Sequence, residues 1–287
     1  MLERTVVCWN GTPAAEAALE WALRRSRDAG ESVEVFDVIE RALFEGDAGA
    51  LERVSTQEEQ RLAERMDELS TTHPGAVEAS ALLVGDPVEV LSEQTQPDTL
   101  VVAGTSRRAG PRVRYGWSLG ARLATVAAGP VAVVPIETSD AAKTRSGVVV
   151  GIDGSEIARR ALDFAAAEAA ILQQPLTVVH CWREPLADEP LIVPDEQFVD
   201  SQQLVRQELL DEQVRIVRDA RPGLEVRSVL LRQNPIAGLR VQSEHAFMLV
   251  VGSRRLTGWK RTWLGSVSHG LLLDLAAPTV VVGPEAS

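Results

Sequence analysis

The segment from Gly252 to Leu273 contains the residues best suited to hold a ligand. It opens with Gly-Ser-Arg-Arg, contains four basic residues and no acidic one, and continues after nine residues into Gly265, Ser266, Val267 and Ser268. Glycine lets a phosphate approach the backbone, while hydroxyls and amides at a helix N-terminus donate hydrogen bonds to it. The pattern predicts an anion site. A solvated basic loop, whose glycine only ends a strand, remains the alternative.

The common catalytic and metal-binding patterns are absent from the sequence. It has no G-x-x-x-x-G-K-[ST], no G-x-G-x-x-G after a strand, no G-x-S-x-G and no H-E-x-x-H. Glu58 and Glu59 are interpreted as a solvated helical face, and His180 as a partly buried strand residue. Cys8 and Cys181 lie far apart, which indicates neither a disulfide framework nor a zinc site. We therefore predict no catalytic and no metal-binding residues.

The chain repeats one pattern twice. Residues 148–155 align with residues 5–12 at an offset of 143, as an apolar strand that ends in a polar turn. Thr12 and Ser155 are the predicted N-caps of the helices that follow. The positions that agree inside these helices share one face: Ala15, Ala18, Leu19 and Ala22 with Ala158, Ala161, Leu162 and Ala165. Further along, residues 100–105 align with 248–253 at an offset of 148, so we place the five-residue insertion within 183–201.

Each repeat alternates apolar runs with helix-period segments. Runs of Val and Leu without polar alternation indicate strands covered on both faces, as in parallel sheets of βαβ units. These runs are residues 33–39, 81–84, 100–103 and 131–134 in the first repeat, and 176–181, 226–231, 248–251 and 279–282 in the second. We predict an α/β fold of two repeated, doubly wound, Rossmann-like domains related by a pseudo-twofold axis. Each has five strands and about four helices.

A polar stretch, residues 138–146, is the predicted linker between domains 1–137 and 147–287. The last strands of the two repeats, 131–134 and 279–282, are both apolar and would be exposed sheet edges if left unpaired. We therefore predict that they lie side by side. In doubly wound sheets the ligand crevice lies beyond the carboxyl ends of the strands, so the turns after strands one and four are the predicted site.

The motifs together resemble those of the universal stress protein family. They are the strand that ends in Asp153-Gly154-Ser155, the Gly-Asp-Pro at 85–87 and the terminal glycine-serine pattern. Two copies over nearly the whole chain resemble its tandem form. The resemblance implies the strand order 3-2-1-4-5 and bound ATP, with or without Mg²⁺. It implies these residues beside adenine and ribose: Gly151, Ile152, Asp153 and Cys181. It implies these residues around ribose and phosphates: Val251, Gly252, Arg254, Gly265, Ser266, Val267 and Ser268.

The sequence also departs from the family pattern. In the second repeat Arg255 replaces the second glycine, and Gln-Asn-Pro at 233–235 replaces Gly-Asp-Pro. In the first repeat Asn10 replaces the aspartate, while Arg107 and Trp117 replace two glycines. An indole at position 117 would stand where a phosphate should touch backbone. We therefore expect a weak or lost site in the first repeat and a weakened but working one in the second.

Charge and hydropathy limit the partners. The chain has 29 Lys and Arg against 41 Asp and Glu, a net charge of −12, which argues against coating nucleic acid or an anionic membrane. The apolar segment 271–282 is interrupted by Asp274 and Pro278, and no export signal is recognised. We predict a cytoplasmic protein with an adenine nucleotide and an unidentified protein as partners. A homodimer of the tandem chain is left open.

Three classes of function follow. The first is an ATP-binding stress-response or regulatory protein that turns over no substrate, and this is the reading we adopt. The second is an enzyme that hydrolyses ATP slowly. The third is a nucleotide-free scaffold or interaction protein in which both motifs have decayed, as Arg255 and Trp117 would suggest. Adenine nucleotide retained through purification would separate the first two classes from the third.

Overall fold

Strands and helices alternate throughout the part of the chain that the computed structural model describes, residues 2–106, 118–136, 144–183, 196–254, 256–258 and 261–284. The first repeat comprises β1 (Arg4–Cys8), α1 (Pro13–Ala29), β2 (Val33–Glu40), α2 (Ala48–Thr72), β3 (Val77–Gly85), α3 (Pro87–Glu93), β4 (Thr99–Thr105), α4 (Leu119–Val126) and β5 (Val131–Pro135). A 3₁₀ helix, Arg41–Phe44, precedes α2. Arg107, Trp117, Arg255, most of the linker and most of the insertion segment lie outside the described residues.

The second repeat follows the same order of elements. It comprises β6 (Val148–Ile152), α5 (Glu156–Ile171), β7 (Leu176–Trp182), α6 (Glu196–Ala220), β8 (Val226–Arg232), α7 (Pro235–Gln242), β9 (Met248–Gly252), β10 (Leu256–Gly258), β11 (Arg261–Trp263), α8 (Ser266–Leu273) and β12 (Thr279–Val282). No described helix combines the length and the apolar composition needed to cross a bilayer.

The helices after the first strands begin where their capping residues predict. The Thr12 hydroxyl accepts a hydrogen bond from the amide of Ala15, and that of Ser155 accepts one from Ala158, both at 3.3 Å. All eight aligned apolar positions of the two helices are buried. Both the predicted caps and the predicted faces are confirmed.

One ten-stranded sheet contains β1–β9 and β12, in the order β3-β2-β1-β4-β5-β12-β9-β6-β7-β8. Each half therefore has the predicted order 3-2-1-4-5, with parallel pairing. The halves join through β5 and β12, which pair antiparallel with Val131 opposite Val281, Ala132 opposite Val280 and Val133 opposite Thr279. The predicted pairing of the two last strands is confirmed.

Two apolar cores cover the two faces of this sheet, and each extends across both repeats. One lies beneath α1, α2, α5 and α6, and the other beneath α3, α4, α7 and α8. The joining strands are buried between them, since residues 131–134 are at most 3% exposed. Apolar burial on both sides is what the unbroken Val and Leu runs predict.

The pair β10 and β11 was not predicted from the sequence. It lies within the basic segment between Ser253 and Gly265, and it pairs antiparallel, with Leu256 opposite Trp263. Strands of three residues are too short for hydrophobic alternation to reveal them. β11 approaches α4, so the glycine-serine segment of the second repeat extends toward the first repeat.

Candidate functional site

The candidate site lies beyond the carboxyl ends of β6, β7 and β9. After β6 the chain turns to one face of the sheet and forms α5, and after β9 it reaches the other face and forms α8. Diverging connections of this kind open a crevice at the strand ends. Neighbouring strands bring the predicted residues to this edge, since Gly151 pairs with Val251 and Ile152 pairs with His180.

The turn after β6 presents a carboxylate to solvent. Asp153 is exposed, and its Oδ1 accepts a hydrogen bond of 2.9 Å from the amide of Ser155. Gly154 has a φ of +80°, which favours glycine at this point of the turn. Ile152 is only 6% exposed and belongs to the core, while Gly151 faces Leu239 of α7. Of Gly151, Ile152 and Asp153, Asp153 is the exposed residue and the one available to a ligand.

Gly252 has a structural role that requires no ligand. A Cβ at this position would lie 2.6 Å from the carbonyl oxygen of Ile157 in the first turn of α5. In the first repeat, a Cβ at Gly104 would overlap the carbonyl oxygen of Ala14. Each glycine therefore allows a helix to pack directly against the neighbouring strand.

Two buried serines hold the ends of the glycine-serine segment together. The amide of Gly265 donates to Ser253 Oγ at 3.1 Å. The Ser268 hydroxyl lies 3.0 Å from the Gly265 carbonyl oxygen and 3.1 Å from Ser253 Oγ. Ser253 and Ser268 are both 1% exposed, and Val251 is 3% exposed. Ser268 and Val251 therefore shape the site from beneath rather than line it.

The first turn of α8 is the part of the site that can bind an anion. Gly265 is its N-cap, with no side-chain cap among the described residues, and Ser266 and Arg254 are exposed. Val267 is half-buried against the core. The first amides of a helix lack partners within it, and the helix dipole favours negative charge there. Helix amides that have no side-chain cap among the described residues, a hydroxyl and an exposed guanidinium thus lie on the same segment.

The end of β7 contributes a buried histidine and a half-buried cysteine. Nδ1 of His180 donates to the carbonyl oxygen of Ile152 at 2.8 Å, so Nε2 is an acceptor, and it has no partner among the residues that the structure describes. Burial lowers the pKa of His180, which keeps the ring neutral. Burial also raises the pKa of Cys181 to about 11. Its thiol is therefore neutral and unsuited to nucleophilic attack.

In the first repeat, side chains of the protein itself cover the equivalent strand ends. The guanidinium of Arg61, from α2, lies 5.4 Å from the centroid of the Trp9 ring. It also donates to the carbonyl oxygen of Asn10 at 2.8 Å and lies 3.5 Å from Asp37. The Trp9 indole N–H donates to Glu16 at 2.7 Å. These contacts close the first crevice beside β1.

Sequence reasoning missed this closure, although a signal was present. Aligning α2 with α6 at the offset of 148 places Arg61 opposite Leu209. A Cβ on Gly11 would lie 2.8 Å from the Arg61 guanidinium carbon, and one on Gly154 would lie 2.8 Å from Leu209 Cδ1. The two side chains therefore occupy the same place in their repeats. Beside Gly154 there is a small cavity of about 80 Å³.

A cleft larger than the cavity beside Gly154 lies elsewhere. It has a volume of about 1090 Å³ and runs along the outer face of α1, between α2 and the second repeat, with Glu16, Arg65 and Phe247 in its wall. Arg65 is already paired with Glu16 at 2.8 Å. Because this cleft lies away from the ends of β6 and β9, volume alone does not locate the candidate site.

Comparison with known proteins agrees with this architecture. A universal stress protein of Mycobacterium tuberculosis is 27% identical over an alignment of 302 residues, which covers 96% of this chain and 93% of that protein. A second one from the same organism is 32% identical over 144 residues, about half of each chain (49% and 48%). The crystal structure of a universal stress protein from Archaeoglobus fulgidus superposes with a TM-score of 0.68 at 18% identity, covering 98% of both chains. That likeness shows the fold.

The sequence profile of one family matches both halves of the chain. The universal stress protein profile covers residues 1–135 and again residues 145–283. The two matches fall on the two halves of the ten-stranded sheet. The chain therefore belongs to the universal stress protein family, in its tandem form.

Proposed function

We propose that this protein binds ATP in its second repeat and acts as a stress-response regulator without rapid turnover. The observation that carries the proposal is the inequality of the two crevices. In the second repeat, α8 begins at an uncapped glycine beside exposed Arg254. In the first repeat, Ser118 caps α4, and Arg61 covers the end of β1. Within the described ranges, the second repeat is the one that leaves helix amides and strand ends open to a nucleotide.

The accessible residues suit separate parts of the ligand. The amides of Ser266 and Val267 in the first turn of α8, together with Arg254, suit the phosphates, because they combine donors with positive charge. Asp153 suits the ribose hydroxyls, because an exposed carboxylate accepts their hydrogen bonds. The described residues contain no cluster of three His, Cys, Asp or Glu side chains that could hold a metal ion. Any Mg²⁺ would therefore be held chiefly by the phosphates.

The two alternatives are an enzyme that hydrolyses ATP and a scaffold that binds no nucleotide, and they require different properties of the same residues. ATP hydrolysis would need a base, and His180 at the end of β7 is buried and neutral, whereas His269 on α8 is half-buried. A scaffold without nucleotide is favoured by one observation: Gly252 and Ser268 both have structural contacts that explain their residue types. Binding measurements distinguish the three classes.

Calorimetric titration with ATP tests the proposal. We expect one site per chain, lost in Gly265→Trp because an indole would cover the start of α8. Arg254→Ala should weaken ATP binding more than adenosine binding, since its charge acts on phosphate. Arg27→Ala, the matched control, removes another exposed guanidinium, from α1, and should leave binding unchanged. Two equivalent sites, or unchanged binding in Gly265→Trp, would refute the proposal.

A thermal-shift series with ATP, ADP, AMP and adenosine, run beside a phosphate-release assay, identifies the class. Saturating ATP should stabilise the fold by about 2.7 kcal/mol at one hundred times the dissociation constant. Hydrolysis should fall well below the range of about 1 to 1000 per second that is typical of enzymes. Rapid turnover would make the protein an enzyme, and no shift with any adenylate would make it a scaffold.

A further inference from the structure

A buried ion pair joins the two repeats beneath the sheet. Arg25 of α1 and Glu168 of α5 meet in a bidentate arrangement, with Nε to Oε2 at 2.7 Å and Nη2 to Oε1 at 2.8 Å. Their side chains are 0% and 3% exposed. Arginine and carboxylate are rarely buried so completely unless they are paired.

The two residues occupy the same position in their repeats. Glu168 follows Arg25 by 143 residues, which is the offset that aligns α1 with α5. In a pairing related by twofold symmetry, equivalent residues near the axis meet each other. If two first repeats paired this way, arginine would be buried against arginine. If two second repeats paired, glutamate would be buried against glutamate. Both arrangements leave uncompensated buried charge.

The surroundings of Arg25 suit an arginine in the first repeat alone. Its Nη1 donates to Thr5 Oγ1 at 3.2 Å and to Glu31 Oε2 at 2.7 Å. The equivalent positions in the second repeat are Val148 and Gln174, which offer neither a hydroxyl nor a carboxylate. The asymmetry therefore extends beyond the pair itself.

An aromatic contact beside the pseudo-twofold axis also joins residues that have no match at the equivalent positions of the other repeat. Trp21 of α1 stacks on Phe247 of the second repeat, with ring centroids 5.4 Å apart and planes inclined by 18°. Its indole N–H also donates to the carbonyl oxygen of Phe247 at 3.1 Å. The equivalent positions are Phe164 and Thr99, which cannot reproduce this stack or the indole hydrogen bond.

We propose that these two contacts form a recognition device that makes each repeat accept only the opposite repeat as its partner. The charge pair rejects like repeats, and the Trp21–Phe247 stack favours the unlike pairing. Specificity of this kind arises from repulsion in the wrong complex as well as attraction in the right one. The chain consequently closes on itself along β5 and β12. Any homodimer of the whole chain uses another surface.

Refolding of a variant that lacks both charges tests the recognition between repeats separately from the stability of the fold. In Arg25→Met/Glu168→Met both charges are replaced by apolar side chains, a change that often leaves stability unchanged or raised. We expect its unfolding temperature to stay within a few degrees of the wild type. Because the rejection of like repeats is lost, refolding at high protein concentration should give a dimer fraction several-fold above that of the wild type. Light scattering measures this fraction against the 31.0 kDa monomer.

The matched control is Arg4→Met/Glu34→Met, which removes a bidentate pair of the same residue types within the first repeat, at 2.7 Å for both bonds. It should refold to monomer as the wild type does. A neutral Arg25/Glu168 variant that also refolds only to monomer would overturn the proposal. So would equal dimer fractions in the two neutral variants.

Charge reversal provides the second measurement. Glu168→Arg and Arg25→Glu each bury like charges, and each should lower the unfolding temperature by roughly 10 °C. The exchanged chain Arg25→Glu/Glu168→Arg again places opposite charges across the axis, and should recover part of that loss and remain monomeric. No recovery in the exchanged chain, or a single reversal as stable as the wild type, would contradict the proposal.

Discussion

Single residues distinguish the two crevices. Position 37 of the first repeat is equivalent to position 180 of the second, and the structure places a buried carboxylate at one and a buried neutral imidazole at the other. His180 is satisfied on one side by the Ile152 carbonyl oxygen. Asp37 instead lies near Arg61, whose guanidinium spans the end of β1. The difference between Asp37 on β2 and His180 on β7 thus accompanies closure of the first crevice.

Asp37 predicts a pH-dependent stability difference. Burial, followed by the negative charge of Glu58, raises its pKa to about 6, while Arg61 acts in the opposite direction. The folded protein therefore binds a proton more readily than the unfolded chain, and stability falls as pH rises from about 4 to 6. Asp37→Asn should raise the free energy of unfolding by about 1 to 3 kcal/mol at pH 7.5. The gain should disappear near pH 4.

Thermal unfolding of both proteins between pH 4 and 8 measures this difference. Asp67→Asn is the control, since it removes the same charge from an exposed position of α2 and should show no such pH dependence. A stabilisation by Asp37→Asn that is equal at pH 4 and pH 7.5 would contradict the assignment to this carboxyl.

Among the secondary-structure elements, the N-termini of α4 and α8 differ. Both follow the fourth strand of their repeat, but Ser118 accepts a hydrogen bond from the amide of Ala121 at 3.3 Å, whereas α8 begins at Gly265 without a side-chain cap. A self-capped helix satisfies its own amides, and an uncapped one leaves them to solvent or ligand. This difference supports binding in the second repeat.

Matched alanine substitutions test the difference between these helices. Ser118→Ala should destabilise the protein by about 1 kcal/mol, because it removes an N-cap. Ser266→Ala should leave stability nearly unchanged, because Ser266 is exposed and makes no cap, yet it should weaken ATP binding. Chemical denaturation and calorimetric titration on the same samples provide both quantities. Equal losses of stability in the two variants would show that the helices begin in the same way.

Across the whole molecule, the two repeats share one sheet and two cores. β5 and β12 lie at its centre, and residues of both repeats belong to the core on each face. Separating the repeats would expose these apolar strands and break the Arg25–Glu168 pair. The halves are therefore expected to unfold together.

Differential scanning calorimetry should show one cooperative transition, with equal calorimetric and van't Hoff enthalpies. If ATP binds the second repeat, it should move this whole transition to higher temperature. Two resolved transitions, of which ATP moves only one, would indicate that the repeats fold independently.

Local signals in the sequence determined much of this architecture. The caps at Thr12 and Ser155 each contact an amide only three residues away, and an unbroken apolar run indicates a buried strand. Both signals can therefore be interpreted without the tertiary fold. The apolar last strands of the two repeats predicted the pairing of β5 with β12, and the resemblance to the family implied the strand order. The same motifs identified the turns that form the candidate site, although they did not separate lining residues from supporting ones such as Ser268.

The tertiary structure alone decided which side chains meet. Arg61 and Trp9 are far apart along the chain, and Arg25 and Glu168 belong to different repeats. Hydrophobic periodicity along a single element therefore cannot predict their contacts. Burial likewise depends on the packed neighbours, which is why Ser268 and Val251 lie beneath the site while Arg254 and Ser266 remain exposed. Sequence patterns report the environment of a residue along its own element, whereas the identity of its partner is set by how elements pack.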